Sequence, residues 1–228
     1  MNYYVVVEGE RTEIEVYSKW ITYVNPLLTQ VYNNDDFTEN NFSLFAGFGY
    51  PYYFNVIDDA IEDVKNYSAI DKLVIAVDSE DQTYKEKFDE IYNYVEHALS
   101  SVDVEIIIQH FCIETWALGN RRIIKRNPQD TKLKEYLRIF NVIYNDPEEL
   151  PPNAEERLNR AQFAEKYLKR AIGDRYKRMY YSKRNPKVLT HKKYFEEIEK
   201  RFRLSTALQF SPISALENSP LVFIINCS

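Results

Sequence analysis

The stretch YYVVVEGERTEIEVY, residues 3–17, changes character at its middle. Its residues 3–7 form an unbroken apolar run, which is typical of a strand buried on both faces of a parallel sheet. From Thr12 onward the apolar residues recur at helical spacing, with Ile14 and Tyr17 on one face. Glu8 and Gly9 stand where the strand ends. The stretch therefore predicts a strand, a sharp turn that carries a carboxylate, and a helix.

The same alternation continues through the first half of the chain. Further apolar runs predict strands at 41–47, 72–77 and 104–109, with amphipathic helices at 54–67 and 83–99. Such alternation predicts an α/β fold with a mainly parallel sheet flanked by helices. Helical patterns follow at 113–126, 130–142, 154–173 and 191–203. We predict a core over residues 1–118 and a mostly helical, basic C-terminal extension over residues 119–228, with a late strand at 220–226.

Charge is distributed unevenly between these parts. Residues 1–120 carry 6 Lys and Arg against 22 Asp and Glu, a net charge of −16. Residues 121–203 carry 23 Lys and Arg against 12 Asp and Glu, a net charge of +11. This asymmetry indicates a polyanionic partner for the basic part and bound cations for the acidic part.

Other features of the composition exclude several classes of protein. The two cysteines, Cys112 and Cys227, form no CxxC pair, which argues against a zinc site or a disulfide framework. No apolar run has the length of a membrane span, and the N-terminus lacks the layout of a signal peptide. We therefore predict a cytoplasmic protein that does not contact membranes.

Acidic side chains follow three of the predicted strands. Glu8 follows the first, Asp78, Glu80 and Asp81 follow the strand in VIAVDSEDQT, and Glu114 comes after the strand that precedes HFCIETW. The carboxyl ends of parallel strands meet at one edge of a sheet. Each acid alone is most simply a helix cap or a solvated turn residue. Together they favour a site for Mg²⁺ or Mn²⁺, because clustered carboxylates repel one another and such cations prefer oxygen ligands.

This order of motifs resembles the TOPRIM domain, the metal-binding α/β domain of topoisomerases, primases and OLD-type nucleases. Glu8 matches the first-strand glutamate of that family, and Asp78 matches the first residue of its Asp-x-Asp motif, with Glu80 at the second position. The segment CIETWALGNRR is similar to one in RloB-like and OLD-like proteins of bacterial defence systems, on which Glu114 and Trp116 match. The resemblance covers residues 3–118.

The resemblance implies a set of site residues. Glu8 would be a metal ligand or the general base. Asp78 and Glu80 would be metal ligands, and whether Asp81 shares this role is open. Catalysis would also use Glu114 and a lysine from late in the chain. The candidates for this lysine are Lys187, Lys192 and Lys193, and we select Lys192. Thr12, Glu13 and Trp116 would support the ligands, although Thr12 and Glu13 could simply cap and begin the first helix.

A basic, tyrosine-rich segment, DRYKRMYYSKRNPKVLTHKKY at 174–194, lies in the extension. Basic groups bind phosphates and tyrosine rings stack on unpaired bases, although a solvated helix face is an equally good interpretation. The predicted nucleic-acid-binding residues are Arg121, Arg122, Lys125, Arg126, Arg175, Lys177, Arg178, Lys183, Arg184, Lys187 and Lys193.

Together these features predict a metal-dependent endonuclease that hydrolyses phosphodiester bonds in RNA, tRNA included, or in DNA. The resemblance implies a toxic effector of an anti-phage defence system. Because the chain has no phosphate-binding Gly-x-x-x-x-Gly-Lys loop, a separate ABC-like or SMC-like ATPase would control it. The chain could also associate with a second copy of itself as a homodimer. The alternatives are a non-catalytic module that binds nucleic acid or a protein partner, and a house-keeping RNA-processing TOPRIM enzyme.

Overall fold

The computed structural model describes residues 1–208, and the side chains of residues 1–203. Five strands are present in this part: β1 (Tyr3–Val7), β2 (Thr29–Gln30), β3 (Asn41–Ala46), β4 (Lys72–Asp78) and β5 (Val104–Gln109). The helices are α1 (Thr12–Val24), α2 (Tyr53–Asn66), α3 (Tyr84–Val95), α4 (Ile113–Ala117), α5 (Thr131–Ile139), α6 (Arg160–Arg175) and α7 (Lys192–Leu208). The late strand predicted at 220–226 lies outside the described residues.

The five strands form one parallel sheet in the order β2-β3-β1-β4-β5. β1 is central, with Val7 opposite Ala46 of β3 and Ala76 of β4. The predicted α/β class is thereby confirmed. The two-residue strand β2 lies in a segment that the sequence predicts as a loop, because its polar composition carries no strand pattern.

Apolar faces of the helices cover the sheet, as the sequence spacing predicts. In α2 the residues Ile57, Ile61 and Val64 are buried, and in α3 Ile91 and Val95 are buried. They join one core with residues of the strands, among them Val6, Leu73, Ile75, Val77 and Ile108. Strands buried in this way need apolar residues at successive positions, which explains the unbroken runs in the sequence.

Several helix ends are set by side chains. Thr83 and Glu86 form a reciprocal capping box at the start of α3, and Asn159 does the same with Gln162 at the start of α6. Thr12 does not cap α1: it is the first residue of that helix and is buried, and the preceding Arg11 makes no capping bond through its side chain.

The predicted helix at 113–126 is interrupted in the structure. α4 ends at Ala117, and a short 3₁₀ turn follows at Arg121–Ile123. The Asn120 side chain starts this turn by accepting a hydrogen bond from the N–H of Arg122 (3.0 Å). A single side chain of the capping type thus divides a continuous helical pattern into two.

The described residues divide into two compact units. The first contains residues 1–77 and 83–108, and the second contains residues 78–82 and 109–208. The predicted boundary after residue 118 lies inside the second unit. Throughout the described part, no helix is both long and apolar enough to cross a membrane.

Candidate functional site

Glu8, the predicted first ligand, lies in the first unit with its backbone held on both sides. Its N–H donates to the carbonyl of Ala76 (2.9 Å), and its carbonyl accepts from the N–H of Gly49 (2.9 Å). The residue is 9% exposed. The two neighbouring chain segments therefore fix where the Glu8 carboxylate leaves the end of β1.

The turn after Glu8 brings the start of α1 close to the backbone. A Cβ atom at Gly9 would lie 2.0 Å from Oε2 of Glu13, so only glycine permits the observed position of that carboxylate. Thr12 and Glu13 are both buried. The residues that the sequence predicts to support Glu8 therefore pack against the turn that follows it.

A buried polar chain near Glu8 was missed by the sequence analysis. The pKa of Tyr53 is raised, first by burial and then by the charges of Glu90 and Glu8. Lys87, itself only 5% exposed, donates to Glu90 (2.8 Å) and to the Tyr53 hydroxyl (3.4 Å). A lysine within an amphipathic helix pattern reads as a solvated residue, so the sequence contained no signal for this arrangement.

Replacing Gly47 with alanine should destabilise the first unit. The added Cβ would lie 2.6 Å from Cβ of Tyr53 and 3.0 Å from the Val7 carbonyl oxygen, and neither atom can move cheaply. We expect a loss of about 1–3 kcal/mol in the free energy of unfolding, measured by urea denaturation.

The matched control is Gly173→Ala in α6, where nothing lies within 4 Å of the added Cβ. It should be neutral or stabilising, because alanine is the better helix former. Equal effects of the two substitutions would show that the space around Gly47 is not restrictive.

The second unit contains Asp78 and Glu114, both almost fully buried at 6% and 1% exposure. Gln109 donates from Nε2 to Oδ1 of Asp78 (2.9 Å), and the Tyr181 hydroxyl donates to Oε1 of Glu114 (2.5 Å). A neutral donor thus helps to orient each carboxylate. Gln109 and Tyr181 were not predicted from the sequence.

Lys183 is the lysine on which the charges of these acids act most clearly, and its side chain is exposed. Desolvation lowers the pKa of Lys183, but the charges of Glu114 and then Asp78 outweigh that effect and leave the pKa raised. Lys183 therefore stays protonated. The sequence assigns Lys183 to nucleic-acid binding and selects Lys192 as the catalytic lysine.

Lys192 occupies a different place, at the exposed start of α7. It lines a cavity with Arg122, Arg175 and Lys193, and Arg122 also pairs with Glu197 (2.9 Å). The remaining predicted nucleic-acid-binding residues also lie on the second unit. Lys125 is half-buried and pairs with Asp174. The others are exposed: Arg121, Arg126, Lys177, Arg178, Arg184 and Lys187.

The two alternatives for the second metal ligand, Glu80 and Asp81, are both exposed. Asp81 accepts a hydrogen bond from Asn159 (3.3 Å). Glu80 has a left-handed backbone with φ of 51°, which is uncommon for a residue with a side chain. The choice between them stays open.

Within residues 1–208, no three His, Cys, Asp or Glu side chains are grouped closely enough to hold a metal ion by themselves. Trp116, predicted as a supporting residue, is buried and donates from Nε1 to Glu148 (3.0 Å). Burial, and to a smaller extent Asp146, raises the pKa of Glu148 to about 7.

Comparison with known proteins adds no relative. The chain matches no protein-family model, and no curated protein or solved structure matches it at a significant level. The chemistry of the chain must therefore be inferred from the residues around Glu8 and from those around Asp78 and Glu114.

Acid should destabilise the second unit through His110. Burial and the charge of Arg160 lower the pKa of His110 to about 4, and its Nδ1 lies 2.8 Å from the Ser79 hydroxyl. Since the unfolded chain binds this proton near pH 6.5, stability is full above that pH and is lost as the pH falls toward 4.

We expect His110→Gln to reduce the loss of unfolding free energy between pH 7 and pH 4.5, measured by urea denaturation at both values. His97, an exposed histidine, supplies the control His97→Gln, which should retain the wild-type loss. An unchanged pH dependence in His110→Gln would contradict the assignment.

Proposed function

We propose that the chain is a divalent-metal-dependent nuclease that hydrolyses phosphodiester bonds in RNA or DNA. The observation that carries this proposal is the pair of buried carboxylates Asp78 and Glu114 in the second unit, whose charges raise the pKa of the exposed Lys183. Buried carboxylates are costly, and such costs are concentrated at functional sites.

The chemistry of the donor set fits Mg²⁺ or Mn²⁺. Mg²⁺ is commonly held by one or two carboxylates, with water and substrate phosphate completing its coordination. We propose Asp78 as a ligand, with Glu80 or Asp81 of the same unit as a further one.

When bound, the metal would polarise the phosphate and lower the pKa of an attacking water. Gln109 orients the Asp78 carboxylate through its hydrogen bond, and Tyr181 orients Glu114. We propose that Lys183, rather than Lys192, offsets the charge that develops on the phosphate. Its raised pKa keeps it cationic at neutral pH.

Exposed aromatic side chains near Glu8 support a nucleic-acid substrate. Phe48, Tyr50 and Tyr52 are each about 60% exposed and lie in the loop that Gly49 joins to the Glu8 carbonyl. Exposed rings of this kind stack on unpaired bases. We propose that this loop favours single-stranded regions of the substrate.

For the biological role, we propose the one that the TOPRIM resemblance implies. We propose that the chain is the toxic effector of an anti-phage system and that a separate ATPase controls it. These 228 residues contain no phosphate-binding Gly-x-x-x-x-Gly-Lys loop.

The wild-type protein should cleave RNA or DNA in Mg²⁺ or Mn²⁺ and lose this activity in EDTA. Labelled RNA and DNA strands, single and double, would be incubated with the protein and resolved on gels. Restoration by added metal controls for damage by the chelator. Nucleic-acid binding without cleavage, together with no metal-dependent shift in melting temperature, would favour the non-catalytic binding module.

A further inference from the structure

A cavity of roughly 650 Å³ lies in the second unit. This volume suits a small ligand. Its walls come from the end of α6, the segment after it and the first turns of α7. Tyr176, Met179 and Val188 give it an apolar side.

The cavity has an excess of positive charge. It is lined by five cations, Arg122, Arg175, Lys192, Lys193 and Lys200, against two acids, Glu196 and Glu197. Glu197 is already paired with Arg122 and Lys200, both at 2.9 Å.

The other three cations, Arg175, Lys192 and Lys193, make no ion pair with any residue that the structure describes. Like charges gathered around one cavity repel each other, and an anionic ligand would relieve this repulsion.

The chemistry of the walls identifies the class of ligand. Arg175, Lys192 and Lys193 offer charge-assisted hydrogen bonds to phosphate oxygens. The half-buried Tyr176 offers a ring for stacking on a base. We propose that this cavity binds a phosphorylated nucleotide, either free or at the 5′ end of a nucleic-acid strand. Binding here is independent of cleavage at the carboxylates.

Calorimetric titrations in EDTA would test this site without any metal-dependent chemistry. The probes are adenosine 5′-monophosphate, inorganic pyrophosphate, and a single-stranded octanucleotide with either a 5′-phosphate or a 5′-hydroxyl. We expect the double variant Arg175→Gln/Lys193→Gln to bind the phosphorylated probes at least about tenfold more weakly. The control is Lys134→Gln on α5, an exposed lysine whose side chain has no ionic partner among residues 1–208.

A variant of the aromatic wall gives an independent measurement. Tyr176→Ala should weaken adenosine monophosphate binding and leave pyrophosphate binding unchanged. Tight binding of the free nucleotide identifies a small-molecule site, whereas preference for the phosphorylated octanucleotide identifies a strand end.

Two results would overturn the proposal. One is that the double variant binds the phosphorylated probes as tightly as the wild type does, or that the wild type does not bind them at millimolar concentration. The other is equal affinity for the two octanucleotides without binding of the mononucleotide, which would indicate general contact with the backbone of nucleic acid. Neither result depends on whether the protein cleaves.

Discussion

Lys183→Met should lower the rate of metal-dependent cleavage by about 100-fold or more, the usual cost of removing one preorganised charge from a transition state. The charges of Glu114 and Asp78 raise the pKa of Lys183, so its ammonium is protonated at neutral pH. Methionine has a similar length and removes only the charge and its hydrogen bonds. The rate would be measured at saturating metal with a labelled strand as substrate.

The design must separate catalysis from folding, because the substitution leaves two buried carboxylates without their lysine. Lys183→Arg restores the charge and should recover stability while recovering only part of the rate, since the guanidinium has a different shape. Lys134→Met changes an exposed lysine in the same unit and should leave the rate unchanged. If Lys192→Met lost the activity and Lys183→Met kept it, the lysine selected from the sequence would be the correct one.

Asn2→Ala should be the most destabilising of the substitutions considered for the sheet. The Asn2 side chain donates to the carbonyls of Thr38 (2.8 Å) and Ala69 (2.7 Å) and accepts from the N–H of Asn41 (2.8 Å). It therefore joins the segments that lead into β1, β3 and β4. Asn2 is 4% exposed.

Alanine would leave three backbone groups without their partner. Each buried group left unpaired costs about 1–3 kcal/mol, and water can reach the less buried ones, so we expect a total loss of about 2–4 kcal/mol. Urea denaturation would measure it.

The control is Asn33→Ala, which removes an exposed hydrogen bond to Asp36 and should change stability by less than about 0.5 kcal/mol. Similar values for the two variants would mean that water replaces the Asn2 contacts.

Asn2 illustrates what a sequence pattern does not contain. One asparagine before an apolar run reads as an ordinary polar residue, and its partners are 36 to 67 residues away. The same holds for Tyr181 and Glu114, which are 67 residues apart and meet through a hydroxyl and a carboxylate. Pairings at such separations depend on how the chain folds back on itself.

Helix ends show the same limit at short range. The periodicity of 113–126 is helical, yet α4 ends at Ala117, and the Asn120 side chain begins a new turn by accepting a hydrogen bond from the N–H of Arg122. Thr12 has the composition of a cap and is instead a buried helical residue.

The sequence by itself determined the layers of this protein and the positions at which acids leave its strands. Those features are local, because strand and helix spacing are set by neighbouring residues and an apolar run can only be buried. The tertiary structure alone decided that the charges of Asp78 and Glu114 act on Lys183, and that Lys192 lines a separate basic cavity. A lysine's role depends on the charges around it, and those charges belong to segments that only folding brings together.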